Sequence, residues 1–196
     1  LGYLIGASFA MQTLANAGPT AVKLIAGTDS EQAGRFLAAL VLARSPLFVV
    51  SALQATLVPA WAALVAHGEL TLLRRRVGLA IGAMSLVGLA VVPVTILLGP
   101  VALRIIYGPD YALARHTLAA LAAGTGLFCV ALIASLALIA QARQSSVCAG
   151  WTLGVAVFIS ACFLPGDPAD RVAIALAAGG IASFAWFVVA FGRRHP

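Results

Sequence analysis

Arg44 is the residue in this sequence most able to do chemistry, because it lies about nine residues inside an apolar run over 36–58. A charge at that depth in a membrane helix costs about 2.5–3.5 kcal/mol on insertion scales. The apolar runs hold no acidic residue that would neutralise it. Arg44 therefore reaches water, pairs with an acid on another part of a larger protein, or faces a hydrated cavity with an anionic substrate. We favour the cavity.

A second set of polar residues recurs along the first apolar run. Gln12, Asn16, Pro19 and Lys23 are spaced by four, three and four residues, which places them within about 60° of one another on a helix. We expect this polar stripe to face the same cavity. Two simpler interpretations stay open: Gln12 and Asn16 can bond neighbouring helices, and Lys23 can extend its amine to the headgroups.

Two prolines and one glutamine complete the candidate site. Pro19 leaves the carbonyl of Ala15 without its helical bond, and Pro46 lies at the level of Arg44, so both predict helix kinks. Gln54 lies on the flank of the face that carries Arg44 and is a further candidate for the cavity.

The sequence contains few features typical of an enzyme. It contains no HExxH, no GxSxG and no phosphate-binding GxxxxGK[ST]. Asp167 and Asp170 flank Pro168 in a pattern typical of a helix start. We therefore expect no catalytic residue, metal or cofactor, since the cysteines and histidines are also scattered: Cys129, Cys148, Cys162, His67, His116 and His195.

The composition indicates where the chain resides. Hydrophobic residues make up 62% of the 196 residues and charged residues only 9%, whereas a soluble domain carries about 25% charged residues. The mean hydropathy is +1.06. Although the net charge is +6, no basic stripe with interleaved aromatics is present, and we expect no nucleic-acid partner. The chain is predicted to lie in membrane lipid.

A spanning helix needs about 20 apolar residues, and this criterion predicts an all-α bundle of six transmembrane helices. The predicted spans are roughly 3–26, 36–58, 77–99, 116–139, 146–165 and 171–192, forming one unit over 1–196. The segment 61–76 is predicted to be a helix partly in the membrane interface.

The loops differ in charge from one side to the other. One side carries Arg74, Arg75, Arg76, Arg143, Arg193 and Arg194. The other carries fewer basic residues and most acids: Arg35, Arg104, Arg115 and Arg171 with Asp29, Glu31, Asp110, Asp167 and Asp170. Because cytoplasmic loops are enriched in Lys and Arg, both ends of the chain are predicted to be cytoplasmic, in a multi-pass plasma membrane protein.

Three stretches carry a resemblance to a known family: NAGPTAVKLIAG (16–27), AGRFLAALVLARSPLFVVSALQATLVPAWAAL (33–64) and LGPVALRIIYGPDYALARHTLAALAAG (98–124). In their order and spacing they resemble the C-terminal half of a polysaccharide exporter of the MATE-like multidrug/oligosaccharidyl-lipid/polysaccharide (MOP) superfamily, of the actinobacterial type. The resemblance implies one six-helix lobe of a two-lobe flippase. Since the chain starts at Leu1 and has no N-terminal lobe, we expect it to be part of a longer protein.

The resemblance also implies a substrate: a polyprenyl-diphosphate-linked oligosaccharide, flipped for cell-surface polysaccharide biosynthesis. Lys23 and Arg44 are the cations expected to meet its anionic head, and the missing lobe, in the same chain or a partner, is the expected protein partner. Two alternatives stay open, a MATE-type drug or cation antiporter half and a membrane scaffold that does not transport. A membrane-embedded enzyme is the least favoured class, since Asp110 and Asp167 are its only support.

Overall fold

The computed structural model describes residues 2–27, 30–111 and 113–193, and these residues form helices without strands. Seven α-helices follow one another in these ranges: α1 (Gly2–Ala26), α2 (Ser30–Ala43), α3 (Ser45–Ala66), α4 (Leu70–Tyr107), α5 (Arg115–Ala140), α6 (Gln144–Ala161) and α7 (Pro168–Gly192). A 3-10 turn at Pro109–Tyr111 follows α4. Asp29 and Arg194 of the charged loops, and His195 among the scattered histidines, lie outside the described residues.

Five helices in the described ranges are long and apolar enough to cross a membrane. They are α4, α5, α6, α7 and the part of α3 from Pro46 to Ala66. The prediction of an all-helical chain with membrane-compatible helices is confirmed at this level. Helix α1 has the length of a span, with 25 residues, but its polar stripe lowers its hydropathy. Six spanning helices therefore stay a prediction.

The chain between α1 and α4 departs from the predicted boundaries. The single span predicted over 36–58 is two helices, α2 and α3, which meet at Arg44. The cause is Pro46, which has no N–H for a helical bond and whose ring clashes with the preceding turn. The interfacial helix predicted over 61–76 does not form as one unit, because α3 ends at Ala66 and α4 begins at Leu70.

Helix α4 is longer than its predicted span. It has 38 residues, or about 57 Å at 1.5 Å per residue, and it continues through the predicted loop 99–111 as far as Tyr107. Its buried face, which includes Gly88, Gly99 and Leu103, follows α5 beyond Pro100. Packing against α5 thus maintains the helix. Gly108, with φ at 103°, ends it in a conformation that favours glycine.

Helix α5 is the centre of the bundle. It packs against α3, α4 and α7, and 83% of its most apolar stretch is buried. Helix α6 lies on the far side of α7 and packs against α1. Because α4 and α7 both rest on α5 without extensive contact with each other, a groove remains between them. A similar cleft separates α1 from α3.

Small residues, which are abundant in 78–88 and 175–183, allow the helices to approach closely. A Cβ on Gly88 would lie 3.3 Å from the Cα of Gly126, so α4 and α5 approach closely there. A Cβ on Gly154 would overlap the hydroxyl of Ser183 and lie 2.9 Å from the carbonyl oxygen of Gly179. Nearby, the ring of Trp151 packs between two phenylalanines of α5 and α7.

The two ends of the bundle differ in chemistry. At one end, called the acidic end, Gln32 at the start of α2 donates to Asp167 before α7, with 3.2 Å between Nε2 and Oδ2. At the other, called the arginine end, Arg143 before α6 donates to the carbonyl oxygen of Ala190 near the end of α7 at 2.6 Å. The alternate loops therefore gather at opposite ends, as an up-and-down bundle requires.

Candidate functional site

Arg44 sits at the junction of α2 and α3. Its backbone N–H donates to the carbonyl oxygen of Leu40 at 3.1 Å, and its own carbonyl accepts from Leu47 at 2.9 Å. Pro46 occupies the first turn of α3, where its missing N–H has no helical partner to lose. The proline thus interrupts the helix directly beside the arginine. Arg44 itself is half-buried.

The side chain of Arg44 reaches the polar stripe of α1. Its Nη1 donates to Oδ1 of Asn16 at 3.2 Å, and Nδ2 of Asn16 donates to the carbonyl oxygen of Gln12 at 3.0 Å. Gln12 and Asn16 are exposed, on the face of α1 opposite its buried residues. The structure therefore brings three of the predicted site residues together on an uncovered face of the bundle.

The other predicted site residues lie farther away. Lys23 is exposed in the last turn of α1, seven residues or about 10 Å along the helix from Asn16. Gln54 is half-buried on α3, ten residues or about 15 Å from Arg44. Helix α1 continues through Pro19 without an unwound turn. The polar groups thus form a track along α1 and α3 with Arg44 near its middle.

Beside Arg44, the cleft between α1 and α3 contains a small cavity of about 20 Å³. Such a volume holds about one water molecule. Its walls are mostly apolar, but Thr125 of α5 lines it together with Arg44. Thr125 is buried and was not among the residues predicted from the sequence; a hydroxyl within a largely apolar helix was the available signal. The cavity allows water to solvate the inner side of the guanidinium.

Among the described residues, Arg44 forms no ion pair with a carboxylate. In residues 2–27, 30–111 and 113–193, Arg35 forms an ion pair with Glu31 at 3.0 Å, and Nε2 of His116 lies 2.8 Å from Oδ2 of Asp170. Both lie at the acidic end. Among the described residues, the Arg44 side chain thus has a neutral amide as its hydrogen-bond partner.

A polar cluster at the acidic end was not predicted as a unit. Asp170 in the first turn of α7 accepts from Thr117 at 2.5 Å and contacts His116 at 2.8 Å, so it ties α7 to α5. The predicted helix start is confirmed, since the side chain of Asp167 accepts from the N–H of Ala169 at 3.0 Å. Pairing across more than 50 residues leaves no sequence signal.

Two arginines also cap the carboxyl ends of helices. Arg143 donates to carbonyl oxygens at the end of α7, and Arg171 donates to the carbonyl of Cys162, which ends α6. Burial raises the pKa of the Cys162 thiol, and the positive charge of Arg171 opposes that rise. These arginines are structural, because the last carbonyls of a helix lack partners within it.

Metal ligands do not converge in the part of the chain that the structure describes. Among these residues no group of three histidine, cysteine or acidic side chains is placed to hold an ion. The three cysteines are free thiols: Cys129 lies on α5, Cys148 on α6 and Cys162 directly after α6. The described geometry therefore offers a polar track with one central arginine, rather than a metal centre.

Comparison with known proteins adds no identification. No family model, no curated protein and no solved structure matches this chain. The resemblance to MOP exporters therefore rests on the residue patterns alone, and the function is argued from the site.

Proposed function

We propose that this chain forms one six-helix lobe of a MOP-type flippase, which moves a polyprenyl-diphosphate-linked oligosaccharide across the plasma membrane for cell-surface polysaccharide biosynthesis. The observation that carries the proposal is Arg44. It is a half-buried cation at a helix break, hydrogen-bonded to Asn16 and without a carboxylate partner among the described residues. A diphosphate supplies the anion that this environment lacks.

The position of Arg44 suits a transported head group. A guanidinium binds phosphate oxygens through two parallel hydrogen bonds. Asn16 holds the guanidinium from one side at 3.2 Å and leaves its other N–H groups for a ligand. Arg44 joins α2 to α3 next to Pro46. A small change in the angle between these two helices would therefore move the cation relative to α1.

Lys23 gives the proposed path a direction. It lies about 10 Å beyond Asn16 along α1, toward the acidic end, and it is exposed. We assign the arginine end to the cytoplasm, following the excess of basic residues in its loops. A diphosphate released from Arg44 would then meet Lys23 on its way out, while the polyprenyl tail stays in lipid.

Transport also needs a second lobe. The polar face of Gln12, Asn16 and Arg44 is uncovered in the bundle, and alternating access requires two bodies that move against each other. We propose that the opposing lobe covers this face across a hydrated cavity. A blot of source membranes with an antibody to this chain tests the point: a band about twice 19.9 kDa or larger supports a fused lobe. A band near the chain's own mass directs the search to a separate lobe or to a scaffold.

The function is tested by substituting Arg44 in the complete protein in its own membrane. We expect Arg44→Gln to lower export of lipid-linked oligosaccharide at least tenfold, with normal abundance, and Arg44→Lys to retain part of it because the charge remains. Arg75→Gln is the matched control, since Arg75 is an exposed residue near the start of α4. Normal export by Arg44→Gln would refute the proposal, and loss of cationic-dye efflux instead would favour an antiporter.

A further inference from the structure

The groove between α4 and α7 at the arginine end has a different character from the polar track. Val77, Gly78 and Ile81 of α4 form one wall, and Val188 and Phe191 of α7 form the other. Its floor is Ala134 of α5. Its volume is about 150 Å³, similar to an apolar cavity that admits benzene. The groove thus has room for an apolar chain.

One charged residue stands at the mouth of this groove. Arg74 lines it, one turn after the start of α4 and seven residues or about 10 Å before Ile81 along the helix. Arg74 is exposed, and it has no carboxylate partner among the described residues. The cation therefore lies where a lipid headgroup would sit if its acyl chain filled the groove.

The charge around the groove favours an anionic occupant. Arg75 and Arg76 follow Arg74, and Arg193 comes directly after the last residue of α7. Glu69 is the acid that the sequence places near this end, and it lies on the turn before α4. A basic residue close to a membrane surface attracts anionic lipid by about 1 kcal/mol.

We infer that this groove binds one anionic phospholipid, with its phosphate on Arg74 and the upper part of one acyl chain between α4 and α7. The absence of a side chain at Gly78 is part of the site, because a Cβ built there meets no atom within 4 Å and the space is left for the lipid. The site is separate from the polar track of Arg44 and does not depend on the proposed transport function.

The test uses the purified full chain in detergent with phosphatidylglycerol or phosphatidylcholine of the same acyl chains, and native mass spectrometry to count bound lipid. We expect wild type to bind phosphatidylglycerol about fivefold more tightly, the effect of one favourable charge. Arg74→Gln should abolish this preference. Arg76→Gln should keep it, because Arg76 carries the same charge but points about 200° away around the helix.

A second variant tests the groove itself. Gly78→Leu places a side chain in open space, so the chain should elute as wild type while binding both lipids at least fivefold more weakly. Inorganic phosphate alone should not displace the lipid. Equal losses in Arg74→Gln and Arg76→Gln would overturn the inference in favour of diffuse attraction. Unchanged binding by Gly78→Leu, or displacement by phosphate, would also overturn it.

Discussion

Gly154 is the position where the packing of α6 against α7 can be tested most sharply. Alanine there places a methyl group onto the hydroxyl of Ser183 and 2.9 Å from the carbonyl oxygen of Gly179. Overpacking of this kind costs about 1–3 kcal/mol. If Ser183 moves away, its buried hydrogen bond to the carbonyl oxygen of Gly150, 3.1 Å long, is lost for about 0.5–1.5 kcal/mol more. We expect Gly154→Ala to lower the free energy of unfolding by about 2–4 kcal/mol.

The assay is reversible unfolding in mixed detergent micelles, followed by tryptophan fluorescence. Trp151 is a suitable reporter, because its ring lies 5.1 Å from that of Phe128 and 5.3 Å from that of Phe187. Gly82→Ala is the control. A Cβ on Gly82 meets no atom within 4 Å, and replacing a helical glycine with alanine should be neutral or stabilise by up to about 1 kcal/mol.

A double substitution separates the clash from other effects. Ser183→Ala removes the oxygen that overlaps the new methyl group, so Gly154→Ala should cost less in that background than in wild type, with a coupling of about 0.5–3 kcal/mol. The reasoning would be refuted if Gly154→Ala and Gly82→Ala had the same unfolding free energy, or if the two substitutions at Gly154 and Ser183 were additive.

Two further predictions concern the ends of the bundle. Cys162, kept as the sole cysteine, should react with a membrane-impermeant maleimide added to intact cells. Its reaction should become faster as pH rises past 9, because its raised pKa keeps it a thiol where an ordinary cysteine is ionised. In the control, Glu69→Cys without the native cysteines, the new thiol should react only after permeabilisation, and the reverse pattern would invert the proposed orientation. Arg143→Ala should lower the free energy of unfolding by about 1.5–3 kcal/mol, since it removes a charged hydrogen bond to the end of α7. Arg75→Ala, the control, should have little effect. Equal thermal stability of the two variants would contradict the structural role of Arg143.

Elements set by local pattern were predicted well from the sequence. The apolar run over 3–26 became α1, Gly2–Ala26, and the cap by Asp167 was predicted from the proline that follows it. Both depend on neighbours in the chain: hydrophobic periodicity over one helix and the chemistry of one turn. The grouping of Gln12 and Asn16 on one face followed from helical spacing in the same way.

Features set by distant partners were not predictable in the same way. The length of α4 depends on its packing along α5, and the predicted loop at 99–111 gave no sign of that support. The contact of Arg44 with Asn16 joins residues 28 positions apart, and Pro46 was predicted to bend one helix rather than divide it. Polar spacing identifies a face, but tertiary packing decides which faces meet.

The central place of α5 has a consequence for how the protein is made. Helices α3 and α4 leave the ribosome before α5, whereas α7, which covers another side of α5, is made after α6. Gly124 would meet the backbone of Ala177 at 3.2 Å through an added Cβ, so that seam forms only when α7 is inserted. A nascent chain that stalls after α6 would expose the side of α5 around Gly124 to lipid. Insertion of α7 therefore completes the packing around α5. A chain arrested before this step would leave that side of α5 accessible to membrane proteases.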